Sequence, residues 1–596
     1  MKHLDRALLG LLTVGVSAFG AHSLGSVISA GATPGLSSWG APTPLLAAVT
    51  LPALAAIAVL RRHGWSGVLG AALAWALGAR AVVELPARAT NFDYADGPHL
   101  RLLTFGVALA VGLFAAGARA PGTVRAAVVC LAAATANGRL FARTSDAIYG
   151  LLAVGVLWLA VEAARAPRRG FTGAGRWWLA VMGSFVLWVV AAGLASEAPS
   201  QALDVALRVL TGALLAGALA LGLESPGRRA LVNALLLLGA ASLAIAAAAL
   251  TDAAAIEGWS RVLGTRLRLF GLHPNGCGPY FGALVALGIG VVGARTGPVR
   301  LLALAVTLAS GAGLWATDSR ASLLGTLVAC AVVSILPFVP LPRRAWPSFA
   351  LVATPAIGIL LAWIGPFGER LREGLAARAL GPSAIGQRYH FWRMALDGVE
   401  RSPWVGVGAN RYDALARYAQ PSYYDGTPQT LHSHNLELSV AVAGGWPALL
   451  LFLLVLVALL EAARHALRTA DGRRGRFEVA GVLGFALAIL VANQLDLGQA
   501  QQTLVPLALW IALGWLVSCA PSQDRAPWGL PRVAAWLLLP CLVGPSLLGS
   551  SLRDRAAARY ELGDAEGALA AYRSAIRVAP AQTVALTRAA TIAIAL

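Results

Sequence analysis

The stretch "LHSHNLELSVAVAGGWPALLLFL", residues 431–453, sets two histidines and an asparagine at the mouth of a long apolar run. A helix needs about 20 mainly apolar residues to cross a bilayer core, and this run supplies them. A span that only crosses lipid has no use for His432, Ser433, His434 and Asn435 at its mouth. The stretch therefore reads as a membrane helix that opens from a polar, functional surface.

The rest of the chain repeats the apolar part of this pattern. Of its 596 residues, 58% are hydrophobic and 13% charged, and the mean hydropathy is +0.70. Soluble domains average about 45–50% apolar and about 25% charged residues, so a soluble globular protein is excluded. Windowed hydropathy predicts an all-α polytopic membrane protein of about 17 transmembrane helices. The expected spans lie at about 7–30, 44–60, 65–85, 100–118, 122–138, 147–165, 176–196, 204–222, 228–250, 276–294, 298–316, 320–340, 347–365, 435–461, 477–496, 500–519 and 529–549. The first follows Lys2 and Arg6 without a small-residue cleavage site and reads as a retained span. Cys130, Cys277, Cys330, Cys519 and Cys541 fall in or beside spans with no CxxC spacing. They read as small core residues, with neither a metal site nor a disulfide framework.

The net charge of +19 raises nucleic acid as a partner, but the placement of the charge excludes it. With the N-terminus in the cytoplasm, every second loop falls inside. Those loops carry Arg61 and Arg62, Arg119 and Arg125, Arg165 to Arg176, Arg228 and Arg229, and Arg295 and Arg300. The series goes on through Arg343 and Arg344, Arg464 to Arg476, and Arg525 and Arg532. This is the positive-inside pattern, and one missed helix would invert everything after it. The segment after residue 550 then lies outside.

Several arginines fall on the outer side, where that rule does not explain them. The loop 251–275 holds Arg261, Arg266 and Arg268, and "ATDSRAS" opens a span with Arg320. The largest outer loop, 366–434, contains "GPSAIGQRYHFWRMALDGVERSPWVGVGANRY". Loops this long are uncommon unless they carry function. Within it, "GERLREGLAARAL" and "RYHFWRMALDGVE" read as short helices, the second with Arg388, Trp392, Ala395 and Val399 on one face. Pro403, Gly406 and Gly408 end it in a tight turn.

Four pieces in order, "FGLHPN", "TDSRAS", "R...W......SPWVGVGANRY" and "HN" followed by Gly445, resemble the O-antigen ligase and polymerase superfamily of bacterial membrane glycosyltransferases. The resemblance covers roughly residues 265–460. Ala448 stands where a second glycine is common, and Ala443 where many members carry an acidic residue. The resemblance implies a donor glycan on undecaprenyl pyrophosphate, a lipid- or sugar-linked acceptor, and no cofactor. It also implies the periplasmic face of the bacterial inner membrane as the place of transfer, in cell-surface polysaccharide biosynthesis.

The residues suit that chemistry. A pyrophosphate brings concentrated negative charge, and arginine binds its oxygens through a planar, always charged fork. Arg320 and Arg388 are the leading candidates, with Arg266, Arg268 and Arg393 in support. Charge building on the departing pyrophosphate makes these donors most valuable in the transition state. The acceptor hydroxyl needs a base, and His434, at the edge of a span, is placed to serve. Asn435 either orients a sugar or caps the helix, and Glu437, one turn on, is placed to orient the imidazole. His432 and His390 read as packing residues of the loop. Arg261, Arg266, Arg268 and Arg393 have the alternative of snorkelling to lipid headgroups. The arginines already supply the positive charge a metal would bring, so no metal is expected.

The chain divides into residues 1–250 without readable motifs, 251–550 with the motifs, and a tail, 551–596. In the tail, Gly563, Ala568, Tyr572, Ala575 and Pro580 resemble one tetratricopeptide repeat, the alternative being a plain amphipathic hairpin. A lone repeat cannot bury its own faces, so a periplasmic protein partner or the membrane surface is expected against it. Two other classes stay open: a transporter or flippase for lipid-linked glycan, and an assembly scaffold without catalysis. Ligase, polymerase and protein O-oligosaccharyltransferase share the same motifs.

Overall fold

The computed structural model describes residues 122–136, 155–162, 174–196, 199–250, 274–340, 384–408, 433–494, 504–519, 563–578 and 583–595, with isolated positions such as Leu267 besides. Its helices are α1 (Gly122–Ala136), α2 (Ala174–Ala195), α3 (Pro199–Gly222), α4 (Ser225–Leu250), α5 (Pro274–Ala294), α6 (Pro298–Ala316) and α7 (Arg320–Ile335). They continue with α8 (Ala384–Arg401), α9 (Leu436–Thr469), α10 (Gly472–Ala492), α11 (Leu504–Ser518), α12 (Ala565–Val578) and α13 (Thr583–Ala595). A three-residue antiparallel ladder joins β1 (Arg169–Phe171) to β2 (Ser522–Asp524). It is too short to leave an alternating pattern in the sequence.

Five described helices are long and apolar enough to cross a membrane, namely α2, α5, α6, α9 and α10. This makes the chain a multi-pass membrane protein and is fewer than the 17 or so spans that hydropathy windows suggest. The spans expected near 7–30, 44–60, 65–85, 347–365 and 529–549 lie outside the described residues. α1, α7 and α11 are shorter apolar helices.

Helix α5 is the hub, packed against α6, α7 and α10, while α9 lies on α2 and α8 on α9. Small residues make this possible, as is usual where helices meet inside a membrane. Gly290 of α5 faces Gly481 of α10 so closely that a Cβ on either would strike the other helix's backbone. α6 has the opposite character. Leu301, Leu304 and Leu308 stand exposed along it, as suits a helix at a lipid boundary.

Helix α9 is broken. Gly444 (φ −147°, ψ 16°) and Gly445 (φ 72°, ψ −173°) leave helical geometry just before Pro447. A break frees backbone groups, and each one left unsatisfied in hydrocarbon costs several kcal/mol. Here they are met from outside the helix. The Trp446 N–H donates to the Pro403 carbonyl at 2.8 Å, and the Val442 carbonyl accepts from the N–H of Val407 at 2.8 Å. The Gly444 carbonyl accepts from Trp188 Nε1 of α2 at 2.8 Å. The turn 403–408 thus keys into α9. Gly406, at φ 70°, is part of the key. A Cβ there would run into Val442, Gly444 and Gly445, and one on Gly445 would run into the carbonyls of Pro403 and Trp404.

The two ends of the bundle differ in charge. At one end Arg295 pairs with Glu478 at 2.9 Å. Arg476 there donates to the carbonyls of Pro337 and Val339 past the end of α7, at 3.2 and 2.7 Å. Arg228 donates to Ser518, the last residue of α11, at 2.7 Å. Cations at helix C-termini satisfy carbonyls that have no partner within the helix. Arg228, Arg295 and Arg476 all belong to the set expected on the cytoplasmic side. The segments that hold the candidate site residues gather at the other end.

In the tail, α12 and α13 form a hairpin that buries Ala568, Tyr572, Ala575, Ala589 and Ile592. Asp564 Oδ1 accepts from the Gly567 N–H at 2.8 Å and so caps α12. Gly563 turns into it at φ 83°. α13 rests against α3. Pro580 lies outside the described residues.

Candidate functional site

Four stretches of chain end at one rim of the bundle. The Leu267 N–H donates to the carbonyl of Ala316 at the end of α6, 2.7 Å away. Leu267 is buried there with Cys277, Phe281 and Leu314. Residues 317–319 lead directly into α7, which runs antiparallel to α10. Gly325 of α7 sits against Ala488 and Ala492 near the end of α10. Just past that end, the Asn493 carbonyl accepts from the Leu436 N–H at 3.1 Å, so α9 starts at the same rim.

His434 sits at the tip of α9 with φ 53°. A left-handed conformation is uncommon outside glycine, costs about 1–3 kcal/mol, and persists where surrounding contacts fix it. The contacts here are explicit. Ser433 Oγ donates to the Asn435 carbonyl at 2.8 Å and lies 2.7 Å from Ser439 Oγ. Asn435 Oδ1 accepts from the Leu438 N–H at 2.8 Å, while its Nδ2 donates to the Gln494 carbonyl at 3.0 Å. Asn435 is therefore an N-cap that also ties α9 to the end of α10. The imidazole stacks on Phe391 of α8, with ring centres 5.3 Å apart and planes 20° apart, and is half-buried.

Arg320 opens α7 and is exposed. Ser319, before it, gives no side-chain cap to the helix, its Oγ lying instead 2.8 Å from Ser322 Oγ. The first-turn N–H groups of α7 therefore point to the rim beside the guanidinium. Such a helix start carries partial positive charge and suits an anion. Asp318, two residues earlier, is the other described non-glycine residue at positive φ, 47°. Both such residues lie on this rim.

The remaining expected site residues divide. Arg388 is on α8, one turn before Phe391, so the stack on His434 brings its helix to the rim. Its side chain lies outside the described residues. Arg393 is exposed on α8. The buried face of that helix is Phe391, Met394, Ala395 and Val399, packed on Leu438, Ala441 and Val442 of α9, with Trp392 half-buried beside it. Arg266 and Arg268 flank Leu267 in sequence and are not described, nor are His432, Asp413 and the side chain of His390. Glu437 is buried, and its carboxylate accepts from the Gln494 side chain. That partner is on the α10 end rather than on the imidazole it was expected to orient. Its Oε2, like Oδ1 of buried Asn493, has no hydrogen-bond partner among the described residues.

Sequence reasoning missed Phe391, Asn493 and Gln494. Phe391 is one apolar residue among several in α8, and nothing local marks it as the one under a histidine. Asn493 and Gln494 do carry a signal, two adjacent amides closing an apolar run. Among the described residues no three His, Cys, Asp or Glu side chains gather as a cation-binding group.

A family model described as O-antigen ligase matches residues 303–453. The matched segment runs from α6 past the break in α9 and contains Arg320, Arg388, Arg393, His434, Asn435 and Glu437. Arg266 and Arg268 lie before it. No curated protein matches the chain.

Proposed function

We propose, from the match of residues 303–453 to the O-antigen ligase family model, that this chain moves a glycan from a polyprenyl-pyrophosphate donor to an acceptor sugar hydroxyl at the rim. The family match by itself indicates a membrane enzyme of polysaccharide biosynthesis with a lipid-linked glycan and an acceptor as substrates. The finer reading is carried by one observation: His434, held at positive φ and stacked on Phe391, stands on the rim where Arg320 opens α7.

The acceptor oxygen attacks the anomeric carbon of the donor glycan, and its proton passes to His434. The bond from that carbon to the pyrophosphate oxygen breaks, and the leaving oxygen keeps the electron pair. Arg320, Arg388 and the start of α7 meet the charge that develops there. Arg266, Arg268 and Arg393 assist in holding the donor. Asn435 fixes the tip of α9. Glu437 contributes a buried acceptor atom that a sugar hydroxyl would satisfy. No metal or cofactor takes part. The rim faces the periplasm and the arginine-rich end the cytoplasm of a bacterial inner membrane, in keeping with the positive-inside rule. The N-terminus is then cytoplasmic and the tail periplasmic, where the tetratricopeptide-like hairpin offers a surface to a protein partner.

A glycan profile of a deletion strain separates the activities that share these motifs. Lipid-linked polymer that accumulates without being attached identifies a ligase, and single repeat units identify a polymerase. Loss of glycan from secreted proteins alone identifies a protein O-oligosaccharyltransferase. An unchanged profile in all three respects contradicts the proposal. Loss of a flippase would instead leave its substrate on the cytoplasmic leaflet.

A further inference from the structure

Helix α2 lies outside the matched segment, and none of the candidate site residues is on it. Its Trp188 nevertheless reaches the break in α9, where Nε1–H donates to the Gly444 carbonyl at 2.8 Å. We propose that Trp188 is a positioning residue for glycan transfer, which rests on the transferase reading above. It fixes the joint from which the catalytic half of α9 and the arginine-bearing helix α8 both extend.

The joint has three members. Val442 and Trp446 of α9 bond to the turn 403–408 that ends α8, and Gly444 bonds to α2. Trp188 reaches a freed carbonyl of the break with its side chain, whereas the turn 403–408 bonds to the break through backbone groups. A Cβ on Gly444 would come within van der Waals contact of Trp188 Cδ1 and Ala192, so α2 lines the open side of the broken turn. The first half of α9 is pinned at its tip by Asn493 and Gln494 and at its base by this joint.

The lever is long. From His434 to Gly444 is ten residues, about 15 Å at 1.5 Å per residue. A rotation of about 10° around the tip therefore moves the joint by about 2.6 Å, and α8 moves with it. Phe391 and Arg388 would shift relative to His434. A misplacement of about 1 Å can cost about 100-fold in rate without weakening binding. The indole N–H therefore guards geometry rather than affinity.

The test separates the N–H from the ring. In protein reconstituted with a lipid-linked donor and an acceptor, Trp188→Phe should lower kcat by about 10- to 100-fold and leave donor KM within about twofold. β-(3-Benzothienyl)alanine at position 188 keeps the indole shape without the N–H and should behave as the Phe variant does. 5-Fluorotryptophan keeps the N–H and should behave as wild type. Leu187→Ala, on the exposed face of the same helix, should change nothing. If Trp188→Phe fails to insert, the benzothienyl protein decides. Wild-type kcat in the benzothienyl protein overturns the proposal, as does a rise in KM with kcat intact. Should the wild-type protein transfer no glycan at all, the transferase reading fails. The joint is then read by spin labels at exposed Arg393 and Leu450. Their distance distribution should broaden without the N–H, and an unchanged distribution overturns the joint itself.

Discussion

Replacing His434 with alanine is expected to lower turnover by about 10²- to 10⁴-fold, the usual contribution of a positioned acid–base group, while donor binding survives. The two effects separate because the imidazole serves the acceptor's proton and the arginines serve the pyrophosphate. Its neighbours also argue for a large effect. A backbone at φ 53°, an asparagine cap tied to α10 and an aromatic ring under the imidazole together hold one side chain in place. His432→Ala, two residues away, should be mild. Turnover measured with saturating donor and acceptor, beside a donor-binding isotherm, checks both halves. Near-normal turnover in His434→Ala would hand the base role to another group. Glu437 is a poor replacement because its carboxylate is buried against Gln494, which leaves a loop carboxylate such as Asp413.

Arg320→Ala and Arg388→Ala are each expected to abolish or severely reduce transfer in protein that inserts at normal levels. Arg320 is exposed at the start of α7, so its removal should cost charge and not fold. Lysine at either position should restore part of the activity. A point charge keeps the attraction but loses the bidentate fork. Surface levels by membrane fractionation and transfer rates by glycan mobility distinguish the outcomes. Full activity in both the alanine and lysine forms would mean that these arginines anchor in lipid headgroups.

What the sequence made legible follows from which forces are local. The apolar runs at 276–294 and 298–316 became α5 and α6 almost residue for residue, because span length and hydropathy are read within a single window. "RYHFWRMALDGVE" became part of α8 for the same reason, its period being helical. The arginine alternation anticipated that Arg228, Arg295 and Arg476 would collect at one end, since charge placement is a property of the loops alone. The break in α9 was visible only as Gly444, Gly445 and Pro447 within four residues. That the turn 403–408 and Trp188 fill it depends on contacts across 35, 43 and 256 residues of chain, which no local pattern encodes. Glu437 shows the same limit. Helical spacing placed it one turn from the imidazole, but its carboxylate meets Gln494, just past the end of α10. Asn435 was legible as a cap because capping is a local hydrogen bond, and its second bond to α10 was not.

The most direct test is transfer in liposomes holding only the purified protein, a polyprenyl-pyrophosphate glycan and an acceptor, in buffer with EDTA. The account predicts that glycan becomes joined to acceptor and that polyprenyl pyrophosphate is released in equal amount, in wild type and not in the double variant Arg320→Ala, His434→Ala. Donor that crosses the bilayer with its glycan still attached and no carrier released would contradict it, as would transfer that stops in EDTA and resumes with magnesium or manganese.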